Sequence, residues 1–308
     1  MNRRKFITTS AVFGASVAAF PRDLLNATAA ETVITILHTN DTHSQIDPLP
    51  ANDVNAGKGG VARRATLVKR VRKENPNTLL IDAGDVLQGT PYFNFYKGEV
   101  EYKAMSLIGY DAGTLGNHEF DNGVESLAKA LEFANFDIVS ANYDVRGSAL
   151  EKKVKTHVVK VVGGVRVGLF GMGISPIGLI TPDNFKPVQY LDPVASARSV
   201  TKILREQERC SLVLGMSHLG YYPEAKGNEV GDGQVAAQVD GIDFIASGHN
   251  HTFMEKPVLQ KTPSGKDTII FQVGRSGIYV GRVDFTLRGG KVTAHAGRLL
   301  DLRDESLA

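Results

Sequence analysis

Residues 33–43 read VITILHTNDTH, an apolar run that passes directly into a cluster of polar side chains. The first five residues have the composition of a buried strand, because β-branched side chains favour extended backbone. Asp41 and His43 follow at the point where this strand should end. In layered α/β folds, functional groups gather at the carboxyl ends of strands. The stretch therefore predicts both a strand and a site beside its end.

Four later segments repeat this arrangement, each with candidate metal ligands at the predicted end of a strand. They are Gly84-Asp85, Gly116-Asn117-His118-Glu119, Ser217-His218 and Gly248-His249-Asn250-His251. No single segment carries enough ligands for a pair of ions. The five together supply carboxylate, imidazole and amide oxygen for two divalent cations. Chance assembly of such a set at five strand ends is improbable, so we expect the segments to meet in the folded chain.

Strand and helix patterns alternate along most of the chain. Short apolar runs at 78–81, 212–216 and 242–246 are typical of buried strands, and residues 61–74 have the apolar spacing of an amphipathic helix. After residue 267 the pattern changes to alternating strands with glycine-rich turns. This order predicts an α/β fold with layered sheets and helices, in a single domain over residues 31–308.

The types and spacing of these side chains indicate a pair of divalent ions. A carboxylate can bridge two ions, and Asp85 follows Gly84 in a tight turn that suits this role. His249 and His251 are separated by one residue, so they point the same way from an extended segment and can reach neighbouring ions. Two ions held close together can clamp a phosphoryl group and activate a hydroxide between them. We therefore expect hydrolysis of a phosphate ester by attack of metal-bound hydroxide.

His118 is expected to lie close to the ions without binding them, because it adjoins the candidate ligand Asn117. Asp121 is placed to hydrogen-bond the ring and to favour its protonated form. A protonated His118 can donate to the leaving-group oxygen or stabilise negative charge in the transition state. Histidines outside the five clusters are expected to be packed or exposed rather than ligands. These are His38, His157 and His295.

The N-terminal 30 residues have the pattern of an export signal rather than of a folded element. Arg3, Arg4 and Lys5 precede an apolar run at 6–20, which is too short to span a membrane. Ala27-Thr28-Ala29 then has the small-x-small pattern of a cleavage site. The paired arginines resemble a twin-arginine signal, and an ordinary Sec signal is the alternative. We expect a periplasmic or secreted destination, with a mature chain that is not held in a membrane.

Charge and cysteine content narrow the classes of partner. The formal net charge is +2, and residues 1–29 hold four basic side chains and one acidic one, so their removal leaves −1. The basic balance thus belongs to the signal, and nothing favours binding to nucleic acid or to a membrane surface. Cys210 is the only cysteine, so no internal disulfide can form. The mature domain must be stabilised by its own core.

The ordered motifs resemble those of a known family. The matching segments are Leu37-His38-Thr39-Asn40-Asp41-Thr42-His43, Gly84-Asp85, Gly116-Asn117-His118-Glu119-Phe120-Asp121, Ser217-His218-Leu219-Gly220 and Gly248-His249-Asn250-His251-Thr252. They are similar to the calcineurin-like metallophosphoesterases and, more narrowly, to the catalytic domain of bacterial 5′-nucleotidases. The resemblance covers nearly all of the mature chain. It implies a layered α/β/β/α metallophosphoesterase sandwich.

The resemblance also implies roles for individual residues. One metal would be held by Asp41, His43 and His251, and a second by Asn117, His218 and His249, with Asp85 bridging; His118 and Asp121 would form the catalytic dyad. Members of the family use zinc, manganese or similar divalent ions. The implied function is an exported, dinuclear phosphoester hydrolase that acts on nucleoside 5′-monophosphates or related nucleotides.

The sequence departs from full-length 5′-nucleotidases in one respect. Those proteins continue into a second domain that supplies specificity residues, whereas this sequence stops soon after the last cluster. We therefore expect that a separately encoded protein resembling the C-terminal domain of 5′-nucleotidases is a partner. Two alternatives stay open at this point. One is a Sox-type sulfate thiol hydrolase, which resembles the same catalytic domain, and the other is a metal-binding partner subunit without independent activity.

Overall fold

The computed structural model of the chain describes residues 31–223 and 230–302, so the export signal predicted for residues 1–30 lies outside the described residues. Numbered in chain order, its strands are β1 (Glu31–Thr39), β2 (Thr78–Asp82), β3 (Ala112–Gly113), β4 (Asp137–Val139), β5 (Tyr143–Asp144), β6 (Val154–Lys155), β7 (His157–Val162), β8 (Val165–Met172), β9 (Gln189–Tyr190), β10 (Leu212–Ser217), β11 (Phe244–Ser247), β12 (Val258–Lys261), β13 (Asp267–Phe271), β14 (Tyr279–Arg288) and β15 (Lys291–Asp301). The α-helices are α1 (Val61–Glu74), α2 (Pro91–Tyr96), α3 (Glu99–Ile108), α4 (Val124–Ala130), α5 (Pro182–Phe185), α6 (Pro193–Lys202) and α7 (Asp232–Gln238).

Two sheets form the centre of the described region. The first has the strand order β15-β14-β1-β2-β3-β4-β6, and the second has the order β12-β13-β11-β10-β8-β7. Within them, β1, β2 and β3 run parallel to one another, as do β8, β10 and β11. Parallel strands place their carboxyl ends at one edge of the sheet, and this edge receives the polar clusters that follow each strand.

The core has three apolar layers because adjacent strand residues face opposite sides of a sheet. On β1, Ile36 packs into the layer between the two sheets with Leu214 and Phe285 of other strands. Its neighbour Leu37 packs instead against the outer layer formed with α1, α3 and α4. A third layer joins the outer face of the second sheet to α6 and α7, with Val200 among its members. The order helix, sheet, sheet, helix confirms the predicted α/β/β/α sandwich.

The helices and strands of the structure agree best with the sequence predictions where the repeating pattern of apolar residues extends over many residues. The predicted helix at residues 61–74 coincides with α1, and the Gly163-Gly164 turn joins β7 to β8 in an antiparallel hairpin. Two short elements gave no detectable pattern. The strand β12 alternates half-buried and exposed side chains at a sheet edge, and α2 has only 6 residues. Both are too short for a periodic pattern of apolar residues to indicate them.

Candidate dinuclear metal centre

The five clusters lie in the loops that follow β1, β2, β3, β10 and β11. The first three strands belong to one sheet and the last two to the other, so the clusters converge where the carboxyl edges of the two sheets meet. The backbone amide of His249 donates to the Asp41 carboxylate at 3.1 and 3.0 Å, which ties the two sheets together at this point. The predicted convergence of distant segments is therefore present in the folded chain.

The loops that carry the clusters are held in an unusual backbone conformation. Asp41, His43, Asp85, His249 and His251 all have positive φ, with values of 49°, 47°, 54°, 77° and 54°. Non-glycine residues adopt this left-handed region rarely, and such residues concentrate at functional sites where the surrounding structure enforces them. The backbone is thus held in a strained conformation at five of the seven candidate ligands.

Two glycines let these loops approach one another. Gly84 has φ of 88°, and a Cβ there would lie 2.7 Å from the backbone nitrogen of Gly116. A Cβ at Gly116 would lie within 2.2 Å of Oδ1 of Asp85 and 2.7 Å of Nε2 of His218. Real Cβ atoms do not come this close to other atoms. The glycines in the Gly-Asp and Gly-Asn-His segments are therefore required for Asp85 to occupy its place between the loops.

One group of side chains comprises Asp41, His43 and His251, whose ligand atoms all lie within 4.8 Å of one another. Nε2 of His43 is 2.9 Å from Nε2 of His251, and Oδ1 of Asp41 is 3.5 Å from Nε2 of His251. The two imidazoles meet edge to face, with ring centroids 5.0 Å apart. Two imidazole nitrogens and a carboxylate oxygen at these separations form a donor set suited to a divalent ion.

A second group comprises Asp85, His218 and His249, again with ligand atoms within 4.8 Å of one another. Nε2 of His218 lies 3.0 Å from Oδ2 of Asp85, and Oδ1 of Asn117 lies 3.0 Å from Nδ1 of His249. Nε2 of His218 is also 3.9 Å from Oδ1 of Asp41, so the two groups adjoin. All seven side chains that the sequence indicated as ligands are thus brought together.

The orientation of His218 indicates whether the space between the two groups of side chains suits a cation. Its Nδ1 lies 2.8 Å from the carbonyl oxygen of Ala83, and hydrogen bonding there leaves the lone pair on Nε2 facing the site. Nε2 is fully buried and, among the described residues, has no hydrogen-bond partner of regular geometry. Burial lowers the pKa of His218, but the negative charges of Asp85 and Asp41 outweigh it and raise that pKa. A site that stabilises positive charge so strongly fits a divalent metal ion.

Two further residues, for which the sequence predicted no role, hold the candidate ligands in place. The buried Glu119 carboxylate accepts hydrogen bonds from the backbone amides of Asp85 at 3.0 Å, Val86 at 2.8 Å and Gly116 at 2.6 Å. It therefore fixes the turn that carries Asp85. The Asn40 side chain donates to Oδ2 of Asp41 at 2.6 Å. Both residues adjoin the motifs, but their roles depend on loop contacts that no local pattern predicts.

His118 and Asp121 lie beside the two groups. Nδ1 of His118 is 2.9 Å from Oδ2 of Asp121, and its backbone amide donates to Oδ1 of Asp85 at 2.9 Å. Its ring meets that of His43 edge to face with centroids 5.4 Å apart. Burial lowers the pKa of His118, while the hydrogen bond with Asp121 and the charge of Asp85 raise it more, so the net shift is upward. The ring is thus close to the candidate metal site and favours its protonated form.

The histidines expected to lie outside the site are indeed elsewhere in the described structure. His38 is fully buried between Phe244 and Phe271, with ring centroids 5.4 and 5.2 Å away. His157 lies on β7 and His295 on β15. None of the three belongs to either ligand group.

Comparison with known proteins agrees with this geometry. Residues 34–253 match the model of the calcineurin-like phosphoesterase family. A 5′-nucleotidase of Bos taurus is 33% identical over 291 residues, which cover 87% of this chain and 49% of that protein. The crystal structure of a 5′-nucleotidase precursor from Thermus thermophilus superposes with a TM-score of 0.78 at 35% identity, covering 88% of this chain and 54% of that one.

A more distant structure is relevant to the alternative of a Sox-type sulfate thiol hydrolase. The sulfate thiohydrolase SoxB of Thermus thermophilus superposes with a TM-score of 0.73 at 18% identity, over 89% of this chain and 58% of that one, which shows a shared fold alone. The chain spans about half the length of the curated relatives it matches. The family match covers most of the described residues and contains all five clusters. The chain therefore belongs to the calcineurin-like phosphoesterase family.

Proposed function

We propose that this chain is an exported, dinuclear metal-dependent phosphoester hydrolase that acts on nucleoside 5′-monophosphates or related nucleotides. The observation that carries the proposal is the junction of two ligand groups at the meeting edges of two sheets, with Asp85 beside both His218 and the amide of His118. Membership of the calcineurin-like phosphoesterase family supports the same reaction class.

The proposed ligand assignment follows from the two groups. Asp41, His43 and His251 would hold one ion, and Asn117, His218 and His249 the other, while Asp85 would contact both. The mixture of imidazole, carboxylate and amide oxygen suits zinc, manganese or a similar ion. When bound, such a pair supplies Lewis acidity at the phosphoryl group and makes water nucleophilic at neutral pH.

The protein side chains would contribute orientation and proton transfer. Asp121 holds Nδ1 of His118, which leaves Nε2 of that ring to act on the substrate. In the protonated form, His118 would donate to the leaving-group oxygen and stabilise negative charge on the phosphoryl group. Glu119 would keep the Asp85 turn in place, so that the site needs little rearrangement during the reaction.

The substrate class is proposed from the relatives rather than from a bound ligand. Several relatives are named 5′-nucleotidases, including that of Rattus norvegicus at 34% identity. The Sox-type alternative has no support in this chain beyond the shared fold. A role as a metal-binding subunit without activity would require the His118–Asp121 pair to be idle. That pair is in place beside the ligands, so we favour an enzyme.

Export and partnership also belong to this proposal. We infer export to the periplasm or the medium from Arg3-Arg4 and the apolar run that follows. Within residues 31–223 and 230–302, no helix combines the length and apolar character that a membrane span requires. A separately encoded protein that resembles the C-terminal domain of 5′-nucleotidases is proposed as a partner in substrate selection.

A substrate panel tests the function directly. The purified chain, loaded in turn with zinc, manganese and other divalent ions, would be assayed with AMP, p-nitrophenyl phosphate and a thiosulfonate conjugate. We expect metal-dependent release of phosphate from AMP. Turnover of the thiosulfonate conjugate alone would support the Sox-type alternative, and no turnover with any metal would support a subunit role. Full, selective hydrolysis of nucleotides by the chain alone would count against the need for a partner.

A further inference from the structure

A pocket with a volume of about 260 Å³ opens beside the metal ligand His251. It is lined by Asn55, Phe253, Arg275, Ile278 and Tyr279, together with His251 itself and Gly274. Ligand sites are concave, with apolar or aromatic walls and a few polar groups. Here one wall is shared with the candidate metal centre, so a molecule whose phosphoryl group lies at the metals would have its remainder within reach of this pocket.

The apolar wall of the pocket is an aromatic pair. The rings of Phe253 and Tyr279 have centroids 5.1 Å apart and planes at 41°. Phe253 is 49% exposed, and its ring lies over the backbone of Gly274, where a Cβ would be 3.8 Å away. An aromatic side chain held in this way presents a flat surface to solvent. Planar heterocycles stack on such surfaces, and the stacking is tolerant of the identity of the base.

The polar wall of the pocket is formed by the side chain of Arg275, which has no anionic partner among the described residues. Among the described residues, the exposed Arg275 guanidinium has neither an ion pair nor a hydrogen bond, whereas Arg72 pairs with Asp111 and Arg205 pairs with Asp243. A guanidinium presents five donors in a fixed plane, which suits the acceptor atoms of heterocycles and phosphates. A negatively charged ester at the metals would therefore meet a complementary charge here.

The segment that carries Arg275 is fixed to the metal centre by four polar contacts. Asn40 accepts from the amide of Val273 at 3.1 Å and donates to the carbonyl of Gly274 at 2.6 Å. The amide of Ser276 donates to the carbonyl of Asp41 at 2.7 Å, and the amide of Gly274 donates to the carbonyl of Thr252 at 3.1 Å. These bonds set the distance between pocket and metals, and rigidly placed subsites lose little binding energy to reorganisation.

We propose that this pocket binds the planar heteroaromatic portion of the ester's leaving group, stacked on Phe253, with Arg275 donating to its acceptor atoms. The assignment rests on the proposed phosphoester hydrolysis and gives part of its substrate selection a structural source within this chain, while the proposed partner would supply the rest. The pocket would favour nucleotides over phosphate esters that lack an aromatic group. Phe253 and Arg275 are then specificity-determining residues that do not bind the metals.

Paired substrates test the pocket. AMP and ribose 5-phosphate share the phosphate and the sugar, so only the base distinguishes them. In the metal-loaded protein, Phe253→Ala should raise KM for AMP roughly tenfold, at the lower end of what stacking on an aromatic side chain contributes. KM for ribose 5-phosphate and kcat for both substrates should change less than about twofold, because neither depends on stacking.

Phe253→Tyr retains the ring and should behave like the wild type. Leu259→Ala, which removes a side chain of similar exposure at 50% on β12, is the matched control and should change neither substrate.

Binding of adenosine supplies a readout that does not depend on turnover. Calorimetric titration of the metal-loaded wild type should detect adenosine binding, and Phe253→Ala and Arg275→Ala should each weaken it severalfold, while Leu259→Ala should not. Equal KM for AMP in wild type and Phe253→Ala, or absence of adenosine binding to the wild type, would overturn the inference. Failure of the wild type to hydrolyse either ester with any metal would instead overturn the proposed function, while adenosine binding would still support or overturn the pocket.

Discussion

At the scale of single residues, Asp85 is the side chain on which the proposed site depends most, because it is the ligand assigned to both ions. Its carboxylate is buried, lies 3.0 Å from His218 and accepts the amide of His118. Burial raises the pKa of Asp85, but the neighbouring His218 outweighs this effect and lowers that pKa well below its usual range. The Asp85 side chain is therefore ionised and can bind a cation.

Asp85→Ala is expected to abolish metal binding and nearly all activity, since it removes the oxygen ligand proposed to contact both ions. Metal content by mass spectrometry and phosphate release would be measured on the same sample. Asp137→Ala is a suitable control, because Asp137 pairs with Lys155 and Lys160 at the amino end of β4. An Asp85→Ala protein that keeps two ions and its turnover would show that this ligand assignment is wrong.

His118→Ala is expected to leave metal content unchanged and to slow turnover by about 10²–10⁴-fold, the usual contribution of a general acid–base group. The reason is that His118 lies beside the ligand groups without belonging to either. Kinetics and metal analysis on one preparation separate the two effects. His157→Ala on β7 serves as the control. Full activity of His118→Ala would remove the assigned role.

At the scale of elements, the loop after β2 is held by a residue on another loop. Glu119, in the short 3₁₀ turn His118–Phe120, binds backbone amides at 85, 86, 87 and 116. The sequence indicated the candidate ligands of this region, because each follows a recognisable strand. It could not predict the anchoring role of Glu119, since acceptance of hydrogen bonds from four backbone amides depends on how the two loops meet.

Glu119→Gln is expected to weaken metal affinity about 10–100-fold, the usual effect of removing a contact that orients a ligand. The substitution places an NH₂ group where backbone N–H donors need an acceptor, so the Asp85 turn would lose its anchor. Affinity would be measured by competition with a chelator. Glu99→Gln, in an exposed pair with Lys103 on α3, is the matched control. Unchanged affinity in Glu119→Gln would show that the turn holds its shape without this carboxylate.

The strand β1 also carries a buried titratable group outside the metal site. Burial between the two sheets lowers the pKa of His38 to about 3, whereas its value when exposed is 6.5. The unfolded chain therefore binds a proton below pH 6.5 that the folded chain does not, and stability falls as pH decreases between 6.5 and 3. From about pH 7.5 to about pH 5 this one group costs up to about 2 kcal/mol of unfolding free energy.

Urea unfolding of metal-free protein tests this dependence. His38→Leu removes the titrating group, so the loss of unfolding free energy between about pH 7.5 and about pH 5 should be smaller than in the wild type by up to about 2 kcal/mol. The comparison of the two pH values within each protein cancels any packing cost of the substitution. Equal losses in wild type and His38→Leu would mean that His38 is not the source of the acid sensitivity.

At the scale of the whole molecule, the fold was predictable from the sequence because strand patterns and motifs coincided. The strands before Asp41, Asp85, His218 and His249 were each visible as apolar runs, and their parallel arrangement follows from the alternation with helices. The pocket of Phe253 and Arg275 was not predictable, because its residues are isolated in the sequence. Only the packing of the 273–276 segment against Asn40 and Asp41 brings them to the metal centre.

Metal removal is expected to destabilise the whole described domain, because the proposed ligands follow strands of both sheets. Ligand binding to the folded state alone adds about 2.7 kcal/mol at a free metal concentration about 100 times Kd. Thermal unfolding with saturating metal should therefore occur at a higher Tm than with a chelator, and Asp85→Ala should show little shift. Equal Tm for metal-loaded and chelated wild type would mean that the ions do not join the sheets.

Anomalous diffraction from crystals of manganese-loaded protein would locate the proposed pair of ions. Two peaks are expected about 3.5–4 Å apart, the spacing of paired catalytic ions. One should lie among Asp41, His43 and His251, the other among Asn117, His218 and His249, with Asp85 in contact with both. A single peak, no peak, or peaks away from these side chains would show that the chain does not hold a pair of ions in this site.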